Sequence, residues 1–287
     1  MIKFFRQITY ATLILTLASC SQKADSDSQD APKDHQTQTL AEAVESGLSD
    51  SAWVALGVPD PSRTWDGNDM ATAYLTINKE YRNGSGYLPT MHKDGGSQTF
   101  IRIISPRNLE ILKADSLDTS EKLMEGTQLV QPLTQIYMLY LTASQKDGMY
   151  KEELIDMMIA LISTEEKFLM VVRDFVSEAT PEQRESESFT LGISQIQSGV
   201  TQSLSGVIRV LRDKGTFTQA QLEKLASGLR RDGPELVSQL DDENRSMLEL
   251  EAAKTLMETD NPVIGSALRK LFPFVEKRLD SLKAVQE

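Results

Sequence analysis

Apolar side chains recur at helical spacing through most of the second half of the chain. Between residues 150 and 177 they fall at Leu154, Met158, Leu161 and Ile162, then at Phe168, Leu169, Val172 and Phe175. Steps of three and four place such residues on one face of an α-helix. Asp118, with Glu121 three positions later, has the form of a capping box, and the pattern behind it runs to Lys146, before Asp147-Gly148. Thr180-Pro181 reads as an N-cap followed by proline at the first helical position. Thr218 and Gln221 repeat the capping-box pattern ahead of Leu222, Leu225 and Leu229. Asp241–Thr259 and Pro262–Val285 finish the chain as helices, the last kinked at Pro273. The joints are short, so neighbouring helices are expected to pack antiparallel as a bundle. Gly192, Gly199 and Gly206 recur every seven residues along the stripe Ile193, Ile196, Val200, Leu204, Val207 and Leu211. They predict a ridge where a second helix comes close. Polar Gln195, Gln197, Gln202 and Arg209 interrupt the run and exclude a membrane seam.

Before residue 117 the pattern is less regular and richer in turn residues and aromatics. Leu40–Leu48 has the makings of a short helix, and the two prolines of Val58-Pro59-Asp60-Pro61-Ser62 mark a loop. Asp66 or Asn68 can cap a helix running to about Arg82, with Met70, Tyr74, Ile77 and Tyr81 on one face. Asn83-Gly84-Ser85-Gly86 ends it, and Asp94-Gly95-Gly96 is a turn. Phe100–Ile104 is apolar and β-branched, and reads equally as a short strand or a buried helical turn. The expected fold is mainly α: a bundle of about six to eight helices over 118–287. An irregular, aromatic-rich segment, 40–117, is expected to pack with it as one domain.

The first twenty residues follow neither pattern. Lys3 and Arg6 precede an apolar run, Ile8–Leu17. At about ten residues it has the length of a signal-peptide core and half of the roughly twenty needed to span a bilayer. Leu17-Ala18-Ser19-Cys20 follows at once. This resembles the lipobox of bacterial lipoproteins, an aliphatic residue, two small residues and the cysteine that becomes the lipidated N-terminus. The resemblance implies removal of residues 1–19 and a membrane partner held through acyl chains on Cys20. An ordinary secretory signal with a chance cysteine is the alternative. Ser21 rather than Asp after the cysteine implies, by the same analogy, the outer membrane, with the periplasmic face preferred to the surface. Residues 21–39 contain no large apolar side chain and read as a tether, with His35 solvated within it.

Charge narrows the partners. The chain carries −12, and residues 1–19 hold Lys3 and Arg6 but no acid, so their removal leaves −12 − 2 = −14. Such a surface repels phosphate backbones and anionic lipid alike, which argues against nucleic acid and against electrostatic adhesion to membranes. Cys20 is the sole cysteine, so the mature domain has no internal disulfide, thiolate metal site or cysteine nucleophile.

Chemistry-bearing motifs were sought on the same footing. His92 is the one histidine outside the tether, too few for a carboxylate–histidine di-metal bundle. His-Glu-x-x-His, Gly-x-Ser-x-Gly, the P-loop and the dinucleotide glycine fingerprint do not occur. No catalytic residue, metal or cofactor is therefore assigned. The segments around Gly148 and Gly215 echo each other, but neither has an acid where a calcium loop requires its first ligand. Glu165-Glu166 reads as a solvated helix face and Asp241-Asp242-Glu243 as helix-start charge. The region with the composition of a binding site is Trp53–Phe100. Its candidate ligand-binding residues are Trp53, Trp65, Asp66, Asp69, Tyr87 and His92, aromatics beside carboxylates that suit a sugar ring or a peptide. The competing account makes both tryptophans staples that fix an irregular segment to the bundle. The leading expectation is a non-enzymatic envelope lipoprotein that binds or scaffolds a protein partner. A solute- or glycan-binding lipoprotein using residues 53–100 is the alternative, and a hydrolase using Asp66, Asp69 or His92 a third reading.

Overall fold

The computed structural model describes residues 47–91 and 97–286. Among them it contains eleven α-helices, one 3-10 helix and no strand. Cys20, the tether, most of Leu40–Leu48 and His92 lie outside the described residues.

The N-terminal part is more helical than its composition suggests. Helix α1 (Asp50–Leu56) starts at Ser49, whose hydroxyl accepts from the Ala52 amide, and stops at Gly57 in the left-handed region. Helix α2 (Gly67–Asn83) begins with a reciprocal capping box between Asp66 and Asp69. Met70 and Ile77 are buried on its inner face with Tyr74 and Tyr81 packed beside them, as the spacing predicts. The apolar run at Phe100 becomes helix α3 (Ser97–Ile103), so of the two open readings the helical one holds. A long-range cap explains the choice: the Asp50 carboxylate on α1 accepts from the amides of Gln98 and Thr99 and from the Thr99 hydroxyl. The 3-10 helix Pro106–Lys113 follows.

Two long helices form the centre. Helix α4 (Thr119–Asp147) carries the expected Asp118–Glu121 capping box and tolerates Pro132 inside it. Helix α5 (Lys151–Glu178) follows after a tight joint in which Gly148 and Tyr150 both take left-handed conformations. The pair is antiparallel: Thr119 bonds Glu178 at one end and Tyr140 meets Tyr150 at the other. Close approach between them depends on Gly126, where an added Cβ would sit 2.5 Å from the Phe168 ring. The remaining helices are α6 (Pro181–Arg184), α7 (Glu187–Val210), α8 (Gln219–Ser238), α9 (Asp242–Glu258), α10 (Pro262–Leu271) and α11 (Val275–Gln286). The expected kink at Pro273 is a full break. Phe272, held extended at φ −127° and ψ 90° ahead of the proline, separates α10 from α11.

The helices stack in two layers. In the first, α2 lies on α4, α4 on α5, α5 on α8 and α8 on α10; in the second, α7 and α11 flank α9. One hydrophobic core runs from Trp53 through Leu154 and Leu229 to Leu279, so the N-terminal helices share it with the bundle. The close approach expected at the Gly192, Gly199, Gly206 ridge is only partly present. Gly192 and Gly199 are buried, but a Cβ at Gly206 would meet nothing within 4 Å. The echoing joints also differ. Gly148 is left-handed, whereas the Gly215 joint is organised by Asp213, whose carboxylate accepts from the amides of Gly215, Thr216 and Phe217.

Candidate functional site

The residues singled out around Trp53–Phe100 line neither of the two clefts described below. Trp53 is 0% and Trp65 1% exposed, so neither ring can serve as a stacking platform on the surface. Trp65 is fixed by its indole N–H on the Asp60 carbonyl at 3.0 Å, and its backbone amide donates to Asn108. Both tryptophans belong to the core. Asp66 and Asp69 are occupied with each other's amides at the start of α2. Arg63 closes on both oxygens of Asp69 at 2.5 and 2.6 Å. Burial alone would raise the Asp69 carboxyl; the Arg63 bonds and the Asp66 amide outweigh it and hold the group below its ordinary value. Tyr87 is half-buried, in a turn where its amide donates to the Ser85 hydroxyl.

What the region does contain is a clamp, built from residues of the two central helices. The strap Leu88-Pro89-Thr90-Met91 is laid onto α4 and α5 and held by buried side chains. The Tyr140 hydroxyl donates to the Pro89 carbonyl, and the Leu88 amide donates to the Tyr150 hydroxyl at 3.2 Å. Glu153, 2% exposed, accepts from both the Thr90 hydroxyl and the Met91 amide. Phe100 and Tyr150 pack edge-on against Tyr140 at 5.6 and 5.7 Å, fixing the ring that carries the first of these bonds. Burial pushes the Tyr140 hydroxyl well above its ordinary value and raises that of Tyr150. Both stay protonated at neutral pH and act as hydrogen-bonding posts. Sequence reasoning missed all three posts. Tyr140 stands in the apolar pattern of α4, and Glu153 directly precedes the first apolar position of α5, where an acid at a helix start reads as dipole complement.

A correction concerns Glu165-Glu166, expected on a solvated face. Both are buried, at 3% and 7% exposure. Glu166 pairs with Lys167 at 2.8 Å. Glu165 lies four residues after Leu161 and three before Phe168, so it falls on the apolar stripe itself. The spacing signal that finds the helix also places this acid in its core. Asp241-Asp242-Glu243 is as expected, with Asp241 capping α9 through the Asn244 amide.

Two clefts stand out among the described residues. One, of about 480 Å³, lies between the α7–α8 and α9–α10 joints. Several of its polar groups are engaged internally: Arg212 with Glu251 at 2.6 Å, Glu223 with Asn261 at 3.0 Å, and Asp213 with its own loop. The other, about 160 Å³, sits under the 3-10 helix beside Asp156, Ser163 and Arg231. No cluster of three or more His, Cys, Asp or Glu side chains suited to a metal occurs among the described residues. No described helix is long and apolar enough to cross a membrane. No family model matches the chain, and neither does any curated protein or solved structure.

Proposed function

We propose that this chain is a non-enzymatic interaction module of the cell envelope, held to a membrane by lipid on Cys20 and presenting its helical domain to a protein partner. The anchor half of the reading rests on Lys3 and Arg6, the short apolar run and Leu17-Ala18-Ser19-Cys20. One acyl chain holds a protein marginally and several hold it stably, at about 0.8 kcal/mol per buried CH₂. The sorting analogy at Ser21 favours the outer membrane and its periplasmic face.

The observation that carries the partner half is the apolar surface of the first three helices. Val54 and Leu56 on α1, Leu75 on α2 and Ile101 on α3 are all exposed, Leu75 to 63%. Helix α1 packs on α3, and Gly57 lies against Thr76, so these side chains sit on adjoining elements. Single exposed apolar residues are ordinary; four on neighbouring helices support reading this end as the partner-facing surface. The expected partner presents an apolar surface of its own.

The test is cross-linking and pull-down from native membranes with three forms: the parent, Cys20→Ala, and a Leu56→Glu, Leu75→Glu double variant. A stoichiometric protein captured by the parent and lost from both variants supports the reading. Capture unaffected by Leu56→Glu and Leu75→Glu removes the surface assignment, and no stoichiometric protein from any form removes the interaction reading.

A further inference from the structure

Glu165 is a carboxyl group in the wrong solvent. It sits on the apolar stripe of α5, 3% exposed, and its Oε2 has no hydrogen-bond partner among the described residues. The groups facing it come from two other helices. From α7, the Ser203 hydroxyl lowers the carboxyl; from α4, the Tyr137 hydroxyl feels its charge. Tyr137 is pushed up to about 12, first by its own burial and then by Glu165, with Arg209 of α7 opposing. Arg231 of α8 acts on Glu166, and Lys167 pairs with that same neighbour, so neither compensates Glu165. Burial drives the Glu165 carboxyl well above its ordinary value, the Ser203 hydroxyl only partly offsetting it.

The place of this group in the fold gives it leverage. Helix α7 belongs to the second layer, packs chiefly on α9, and touches α5 only lightly. Thr201, also on α7, is buried with a hydroxyl that has no partner among the described residues. Helices α5 and α7 meet through few residues, among them Phe175 and Phe189, whose rings stack at 5.7 Å, so the seam holds an uncompensated acid in a short interface, whereas α4 and α5 meet along their full lengths.

We propose that the α5–α7 seam is a proton-operated latch: α7 lies closed on α5 while Glu165 is protonated, and ionisation of Glu165 lifts α7 from the first layer. The sign follows from linkage. In the open state Glu165 meets water and titrates near the ordinary 4.5; in the closed state it titrates higher. Closure is fully favoured below the open-state value and weakens as pH rises. Between the two values the opening constant grows about tenfold per pH unit.

The experiment is native-state hydrogen exchange on the full mature chain with Cys20→Ala, corrected for intrinsic exchange rates, from pH 5 to pH 7. The α7 amides of the parent should lose protection progressively across those two units, by at most about 100-fold. In Glu165→Gln they should change by less than about twofold, and α4 amides should stay flat in both. An independent arm needs no change at Glu165: spin labels at Arg173→Cys on α5 and Gln202→Cys on α7 should move apart as pH rises. Equal pH dependence of α7 in the parent and Glu165→Gln, or a label distance that does not change with pH, overturns the latch.

Discussion

Replacing Tyr140 by phenylalanine removes one oxygen and leaves the rest of the clamp in place. The ring keeps its edge-on contacts with Phe100 and Tyr150, so the perturbation isolates the bond to the Pro89 carbonyl. Pro89 is buried, so water cannot replace the lost donor without opening the strap. An unsatisfied buried acceptor costs about 1–3 kcal/mol. For a domain of this size each kcal/mol lowers the melting temperature by about 2–4 °C, so Tyr140→Phe should melt about 2–12 °C below the parent. Glu153→Ala goes further, because it removes the acceptor shared by the Thr90 hydroxyl and the Met91 amide. Water reaching the exposed Met91 offsets part of that, leaving a loss of about 2–4 kcal/mol. Thermal melts give the totals, and hydrogen exchange locates them. Tyr150→Phe should deprotect the Leu88 amide, and Glu153→Ala the Met91 amide, before the central helices loosen. Should Glu153→Ala melt within about 1 °C of the parent and leave Met91 protection unchanged, the strap is held by something else and the clamp is wrong.

Other outcomes follow from single features. Trp65→Ala should destabilise by about 3–5 kcal/mol in a denaturant titration, the cost of emptying a core site; a wild-type midpoint would return Trp65 to the surface. Asp118→Ala should lose about 1 kcal/mol through the α4 capping box, checked by chemical denaturation against Asp118→Asn, which keeps an acceptor. Gly148→Ala should cost about 1–2 kcal/mol because its φ of 67° disfavours any side chain, and equal stability would show that the joint relaxes.

The sequence was most legible where the rule is local. The capping boxes at Asp118 and Thr218, the N-cap at Thr180 and, of the two candidates Asp66 and Asn68, the cap at Asp66 are each set by residues within four positions, and all appear in the structure. Helix α3 was ambiguous because its cap, Asp50, lies nearly fifty residues away. The clamp was invisible for the same reason: Thr90 and Glu153 are sixty-three positions apart, and neither is unusual on its own. Glu165 differs. Its position on the stripe was readable, but a general preference of acids for the surface outweighed the spacing, and here the spacing decides. Trp53 and Trp65, in a turn-rich segment, fit both a ligand-binding loop and a staple onto the bundle. That segment proved to be short helices needing large side chains to anchor them, and Trp53 and Trp65 supply the area.

The attachment of α1 has a mechanical side. A pull on the N-terminal end of the described chain enters at residues 47–50, where Asp50 is bonded to Gln98 and Thr99 of α3. Those bonds and the buried Trp53 load together, so the first helix resists as one unit and then yields as one. Its release through Gly57 pays out about eleven residues, roughly 37 Å of extended chain. The next resistance is Trp65, pinned on the Asp60 carbonyl and followed at once by the capped start of α2. Force on this end thus meets two successive catches before it reaches the central helix pair, and the domain can lengthen at this end while α4 and α5 stay folded.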